Sequence, residues 1–219
     1  MVFVSVDPPQ ASQRLLTSLP LAGCGKTVIS STIIGNLLDQ FQDSNADIAY
    51  FYFDFNDVKK QAVEGFLRSI LRSLSARELP AIIEALHKQA QERSAQPGLD
   101  ALTDTLKAML QQAQKTFLVF DALDECKEVK NLMEKIAEIQ GWELPSVRIL
   151  ATSRREPDIT KTMDSLAQSI CLETKLVDED IKIFVHQSLR SNGALGRWSG
   201  DVEAKQEIED ALAAGSNGM

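Results

Sequence analysis

The sequence has no long apolar run, few aromatic residues and few cysteines, and each of these shortages excludes a class of protein. No stretch of about 18 apolar residues is present, so a membrane-spanning helix is not predicted. The N-terminus lacks the basic and apolar segments of a signal peptide, and a cytoplasmic protein is expected. The three cysteines (Cys24, Cys126 and Cys171) show no C-x-x-C spacing, which argues against a disulfide framework or a zinc site.

Basic residues are also scarce relative to acidic ones. The chain carries 23 Lys and Arg against 31 Asp and Glu, a formal net charge of -8, and its adjacent basic pairs include Lys59-Lys60 and Arg154-Arg155. Such a charge repels a polyanion, so nucleic acid is not an expected partner. A small phosphate ligand is still compatible with this composition, because its site needs only a few local donors and one cation.

Apolar and β-branched runs alternate with helical patterns along the 219 residues. Between the runs, segments such as "EGFLRSILRSL" repeat apolar residues at the three- and four-residue steps of one helix face. This alternation predicts one α/β domain with a mainly parallel sheet and helices on both sides. Five runs are predicted as strands: 14–19, 48–55, 116–121, 148–153 and 169–174.

The same patterns divide the chain into segments. Residues 1–13 are predicted to be a poorly ordered leader, residues 14–176 the α/β core, and residues 177–219 the start of a helical subdomain. Within the core, 76–114 reads as a helical insertion whose two helices are separated at Gln96-Pro97-Gly98.

The sequence "AGCGKT" follows the first predicted strand and is typical of a phosphate-binding loop. Glycines at 23 and 25 let the backbone curl so that its amides point inward, Lys26 can reach the β- and γ-phosphates, and the Thr27 hydroxyl can hold magnesium. The usual pattern has a further glycine five positions before Gly25, where this chain has Pro20. Proline removes an amide at the entry of the loop rather than in its centre, which predicts weakened rather than abolished binding.

The third predicted strand ends in an acidic cluster, "FDALDEC". Asp121 stands at the strand tip, and Asp124 and Glu125 follow it. One acid at this position can hold the magnesium shell while a later one orients the attacking water, which is a Walker B arrangement. The alternative interpretation is a solvated acidic turn that caps the next helix.

The fourth predicted strand ends in "TSRREP". Thr152, Ser153 and Arg154 there are positioned to sense a γ-phosphate, since ligands bind at the carboxyl ends of parallel strands. The alternative is a turn at a helix start with a solvated arginine pair.

Together, "AGCGKTVISSTII", "AYFYFDFND", "FLVFDALDEC" and "ILATSRREPDI" resemble the NACHT-type STAND NTPase domains of fungal receptor-like proteins, close to the nephrocystin-like N-terminal domain. The resemblance implies a P-loop NTPase three-layer sandwich with sheet order 5-1-4-3-2. It further implies a nucleotide-driven switch that binds ATP or GTP with Mg²⁺, hydrolyses it slowly, and associates with itself or with a protein partner.

The resemblance also implies roles for individual residues. Thr27 and Asp121 are expected at the magnesium, Asp124 and Glu125 near the water, and Arg154 as the sensor. The nucleotide would be held by Ala22, Gly23, Cys24, Gly25, Lys26, Thr27 and Val28. ATP is favoured over GTP, because "TKLVD" at 174–178 misses the N/T-K-x-D guanine pattern by one position.

The chain departs from this family at both ends. Its first strand and leader fit the pattern poorly, and no winged-helix region or repeats follow Met219. The chain is therefore expected to be a fragment, a truncated product or a stand-alone module. A degenerate interaction module with little nucleotide affinity is the alternative function.

Overall fold

The computed structural model describes residues 2–4, 26–76 and 80–170, together with Glu207, and the statements below concern these residues. Short 3-10 helices lie at Val58–Lys60 and Leu123–Glu125. No helix in this part of the chain is long and apolar enough to cross a bilayer. The strands and α-helices, in chain order, are β1 (Val2–Val4), α1 (Lys26–Gln40), β2 (Ala46–Tyr52), α2 (Val63–Leu74), α3 (Ala81–Arg93), α4 (Leu99–Gln112), β3 (Lys115–Asp121), α5 (Val129–Gln140), β4 (Val147–Thr152), α6 (Pro157–Leu166) and β5 (Gln168–Ile170).

Three parallel strands form one side of the sheet. The strand order is β2-β3-β4-β1-β5, and β2, β3 and β4 run parallel with Tyr52 opposite Asp121 and Phe120 opposite Ala151. The predictions of an α/β fold and of parallel strands near 48–55, 116–121 and 148–153 are thus confirmed. Because the strands are parallel, their carboxyl ends meet at one edge of the sheet, where ligands bind in open α/β folds.

The other two strands differ from the sequence-based expectation. β1 lies within the segment predicted as a leader, and it pairs antiparallel with both β4 and β5. β5 begins one residue before the predicted run 169–174. The predicted first strand at 14–19, on which the sheet order 5-1-4-3-2 depended, lies outside the described residues, as do the helical patterns predicted for the C-terminal subdomain, apart from Glu207.

Helices cover both faces of β3. Phe120 points to one face and contacts Phe66 of α2, with their ring centroids 4.8 Å apart. Phe117, three residues earlier, points to the other face. The centroid of its ring lies 4.9 Å from that of Phe41, which follows α1. Since side chains alternate along a strand, Asp121 faces the same side as Phe117 and therefore meets α1.

Helix α2 forms as its apolar period predicts. Phe66, Leu67, Ile70 and Leu71 are all buried against the sheet and α4. Burial of each such side chain stabilises the fold by about 1.5–3 kcal/mol, so this one face anchors the helix.

The predicted helical insertion is also present. α3 ends at Ser94, whose φ of 48° is left-handed, and α4 begins after Gly98, so the predicted break at 96–98 is where the two helices separate. α4 buries Leu102, Leu106 and Leu110 at four-residue steps against α2. The insertion thus extends the same core that carries β3.

Candidate functional site

The Asp121 carboxylate lies at the carboxyl end of β3 and is 2% exposed. Its Oδ1 accepts hydrogen bonds from Ser30 Oγ and Thr152 Oγ1, each 2.6 Å long, and its Oδ2 accepts one of 2.7 Å from Thr27 Oγ1. Hydroxyl-to-carboxylate bonds of this length are among the stronger hydrogen bonds in proteins. Three donors from two elements therefore fix one buried carboxylate.

Two of those donors come from the first turn of α1. Thr27 and Ser30 are three residues apart and so lie on the same helix face, which the packing of α1 turns toward β3. Ser30 Oγ also contacts Lys26 O at 3.1 Å. Thr27 was predicted at the site and Ser30 was not, although the three-residue spacing from Thr27 was a signal that could have indicated it.

The third donor, Thr152, connects β4 to the exit of β3. Its hydroxyl donates to Asp121 and accepts a 3.0 Å bond from the Ala122 amide. Ala122 has a left-handed backbone, with φ of 58° and ψ of 54°, which turns the chain sharply after β3. Thr152 was predicted to lie at a sensor position, and the structure places it against Asp121.

Asp124 is held by the segment that follows β4. Its side chain is 5% exposed, Oδ1 accepts bonds from Arg154 N at 2.7 Å and Ser153 Oγ at 3.2 Å, and Oδ2 lies 3.1 Å from Arg154 Nε. Burial of this carboxylate argues against the solvated acidic turn. Two residues predicted to act separately, Asp124 near the water and Arg154 as the sensor, are therefore paired with each other.

Glu125 is held differently, by the loop after β2. Its Oε2 accepts a 3.1 Å hydrogen bond from the Phe55 amide, and the side chain is only half-buried. The structure describes no other partner for this carboxylate. Of the two later acids, Glu125 is thus the one with an oxygen available for a ligand.

The oxygens around Asp121 match the chemistry of a magnesium ion. Mg²⁺ prefers carboxylate and hydroxyl oxygens and keeps several waters, so it uses one or two protein carboxylates rather than a closed cage. Asp121 could supply one carboxylate and Thr27 one hydroxyl oxygen. In the described ranges no cluster of three or more His, Cys, Asp or Glu side chains that could hold a metal ion is found.

Cys126 follows Glu125 in the sequence and is a buried free cysteine, 4% exposed. Its Sγ donates to Gln61 O at 3.2 Å, and the Glu128 amide donates to Sγ at 3.4 Å. Burial raises the pKa of the Cys126 thiol, against a smaller lowering by the Glu128 amide. The thiol is therefore protonated at neutral pH and serves as a packing group.

The predicted loop residues Ala22, Gly23, Cys24 and Gly25 lie outside the described residues, as does Pro20. Of the remaining loop residues, Lys26 opens α1, Thr27 contacts Asp121, and the Val28 side chain is 68% exposed. α1 thus begins at the edge of the sheet where Asp121 and Thr152 end their strands.

Comparison with known proteins agrees with this arrangement. The family model for "Nephrocystin 3, N-terminal" matches residues 6–154 of the 219. The curated protein "Vegetative incompatibility protein HET-E-1" of Podospora anserina is 25% identical over 218 residues. That alignment covers 94% of this chain but only 16% of the relative, so the chain spans a small part of the relative's length.

The matched range contains every described site residue from Lys26 to Arg154. It confirms the resemblance to the NACHT-type, nephrocystin-like N-terminal domain that the motifs predicted. The chain belongs to the nephrocystin 3 N-terminal family.

Proposed function

We propose that this chain is a nucleotide-binding signalling module that binds Mg-ATP over the start of α1 and hydrolyses it slowly. The observation that carries the proposal is the 2.7 Å hydrogen bond between Thr27 and Asp121. It brings the hydroxyl of the G-K-T sequence against the acid of the third strand. These are the two groups that hold magnesium in P-loop NTPases.

The position of α1 supports the same conclusion. Its N-terminus carries a partial positive charge, and it lies at the carboxyl edge of β3 and β4. Lys26 at that end adds a full positive charge for the β- and γ-phosphates. When bound, magnesium would neutralise the charge that develops on the phosphates. Thr27 and Asp121 would supply its protein oxygens.

The contacts of the two later acids separate their proposed roles. Both oxygens of Asp124 are engaged by Ser153 and Arg154, so Asp124 positions the segment after β4. Glu125 keeps one oxygen for the attacking water and is the proposed orienting base. Arg154 follows β4 and its side chain is 51% exposed, and it is the proposed sensor of the γ-phosphate.

The proposed setting is a cytoplasmic switch that responds to nucleotide by associating with itself or with a protein partner. The family membership supports this role. The net charge of -8 supports a protein rather than a nucleic acid as the partner. ATP is proposed over GTP on the absence of the guanine pattern.

The experiment is a titration of the purified protein with a fluorescent ATP analogue and Mg²⁺. The Lys26→Ala variant should abolish binding, because the charge opposite the phosphates is lost. Lys130→Ala, an exposed change on α5 with the same loss of charge, should bind as the wild type does. Competition with unlabelled ATP and GTP shows whether the site prefers adenine or guanine nucleotides.

Two outcomes contradict the proposal in different ways. A folded wild type that binds neither nucleotide would favour the degenerate interaction module, in which Pro20 and truncation weaken binding. Equal hydrolysis by the wild type and Glu125→Gln would refute the role of Glu125 while leaving nucleotide binding intact.

A further inference from the structure

Gln61 is a buried polar residue on the loop that joins β2 to α2, residues 53–62, and it is 3% exposed. Its Nε2 donates to Asp54 O at 3.3 Å and, by a short bond, to Phe55 O. The backbone carbonyl of Gln61 accepts hydrogen bonds from Lys127 N at 3.0 Å and from Cys126 Sγ at 3.2 Å. One residue therefore connects the loop at 54–55 with the chain that follows Glu125.

These contacts lie on two sides of Glu125. On the loop side, the Phe55 amide donates to Glu125 Oε2, and Gln61 fixes the carbonyls on either side of that amide. On the other side, Gln61 holds the next residues of the acidic segment, Cys126 and Lys127. The orientation of Glu125 thus depends on where Gln61 sits.

The unused atom of Gln61 supports a specific role. Its Oε1 is buried, and the structure gives it no hydrogen-bond partner. A buried polar atom without a partner is costly, and such groups are rare in folded proteins. The Phe55 carbonyl explains the residue, because an apolar side chain at this position would remove its donor, whereas the Asp54 carbonyl would keep the 3.1 Å bond from the Asp57 amide.

We propose that Gln61 is a positioning residue for Glu125, acting through the Phe55 peptide to set the orientation of the carboxylate that aligns the attacking water. The inference rests on the proposed function. Phe55 contributes only its amide, because its ring is 64% exposed. Loss of the Gln61 donor would leave the Phe55 carbonyl unsupported and loosen the backbone that orients the Glu125 carboxylate, while the nucleotide contacts of α1 stay in place.

The first test compares nucleotide affinity with turnover. Gln61→Met removes the donor at similar size, and it should lower kcat about tenfold, since small misplacements of a catalytic group cost this much or more. The Kd for Mg-ATP should stay within about twofold, because Lys26, Thr27 and Asp121 are untouched. Val58→Ala, a change at a residue of the same loop that is 73% exposed, should leave kcat unchanged. Thr103→Val, which removes a buried hydroxyl in α4, controls for a general effect on the core.

The second test needs no nucleotide. Hydrogen exchange of the Phe55 amide, followed by NMR, should speed up about fivefold or more in Gln61→Met, approaching the rate in Glu125→Ala. The amide of Ile136 in the core should exchange as in the wild type. Because this test reads the contact directly, it separates failure of the inference from failure of the proposed function.

The outcomes decide between the two claims. Unchanged Phe55 exchange together with unchanged kcat in Gln61→Met overturns the positioning role. A wild type without nucleotide binding overturns the proposed function and the water-aligning role, and the exchange data then decide whether Gln61 controls the contact between Glu125 and Phe55. A parallel rise in Kd and fall in kcat would indicate a purely structural role for Gln61.

Discussion

Thr27 Oγ1 donates a 2.7 Å hydrogen bond to Asp121 Oδ2 across a sequence separation of 94 residues. The contact joins the first turn of α1 to the end of β3, and Ser30 reinforces it from the same helix face. A ligand held by both residues would therefore be connected at once to the helix that follows the phosphate loop and to the centre of the sheet.

Asp121→Asn should weaken the effect of magnesium on nucleotide binding. The amide keeps the shape and one acceptor oxygen, and the surrounding hydroxyls can rotate to satisfy it. It cannot offer a carboxylate to the metal, so the tightening of ATP binding by Mg²⁺ should fall about tenfold or more. Titrations with and without Mg²⁺ measure this difference.

Asp104→Asn is the matched control, because it removes one negative charge from an exposed position on α4. It should retain the full effect of magnesium. Equal Mg²⁺ dependence in Asp121→Asn and the wild type would exclude Asp121 as a metal-holding group.

The three parallel strands could be predicted because buried strands give continuous apolar runs. The acidic residues after β3 were indicated for the same reason, since the end of such a run marks the binding edge. β1 could not be predicted, because three residues, Val2–Val4, are too short for a periodic signal, and their pairing with β4 depends on long-range contacts.

The partners of the acids were harder to predict than the acids themselves. Asp124 and Glu125 are adjacent in sequence, yet one binds the segment after β4 and the other the loop after β2. Their separation follows from the turn at Ala122 and the short 3-10 helix after it, which direct neighbouring side chains to different strands. Patterns of apolar residues contain no information about such pairings, so Gln61 also went unassigned.

Thr152→Val should destabilise the fold by about 1–3 kcal/mol, the usual cost of a buried donor left without a partner. The hydroxyl is fully buried, accepts the Ala122 amide and donates to Asp121. Valine has the same shape but leaves that amide without an acceptor. Urea denaturation gives the change in the free energy of unfolding.

Thr105→Val provides the comparison, since the Thr105 hydroxyl is nearly as buried but bonds only to Ala101 O of its own helix. It should change the free energy of unfolding by less than about 1 kcal/mol. An equal fall in the free energy of unfolding in both variants would mean that the hydrogen bonds of Thr152 to Asp121 and Ala122 add no more stability than a hydroxyl bonded within its own helix.

Asp124→Ala and Arg154→Ala should differ although they remove the two sides of one ion pair. Alanine at 124 takes away the acceptor of the Ser153 hydroxyl and the Arg154 amide as well, and should cost about 3 kcal/mol. Alanine at 154 keeps that amide and removes only a half-exposed guanidinium, so it should cost less than about 1 kcal/mol. Urea denaturation of both variants measures the difference, and a larger loss in Arg154→Ala would contradict a structural role for Asp124.

Cys126 should make the stability of the protein depend on alkaline pH. Burial raises the pKa of its thiol above the ordinary value of 9.0, so the folded state keeps a proton that the unfolded chain releases. The stabilisation is fully present below the unfolded pKa and is lost as the pH rises from there through the folded pKa. In this range the free energy of unfolding should fall by up to about 1.4 kcal/mol per pH unit from this group.

Cys126→Ser isolates the contribution of that thiol. Serine keeps a donor for Gln61 O but does not titrate near pH 9, whereas the other alkaline groups titrate equally in both proteins. The free energy of unfolding should therefore fall less steeply with pH in the variant, as measured by urea denaturation from pH 7 to about 10. Parallel slopes would mean that the Cys126 thiol ionises as easily in the folded protein as in the unfolded chain, and would contradict the raised pKa.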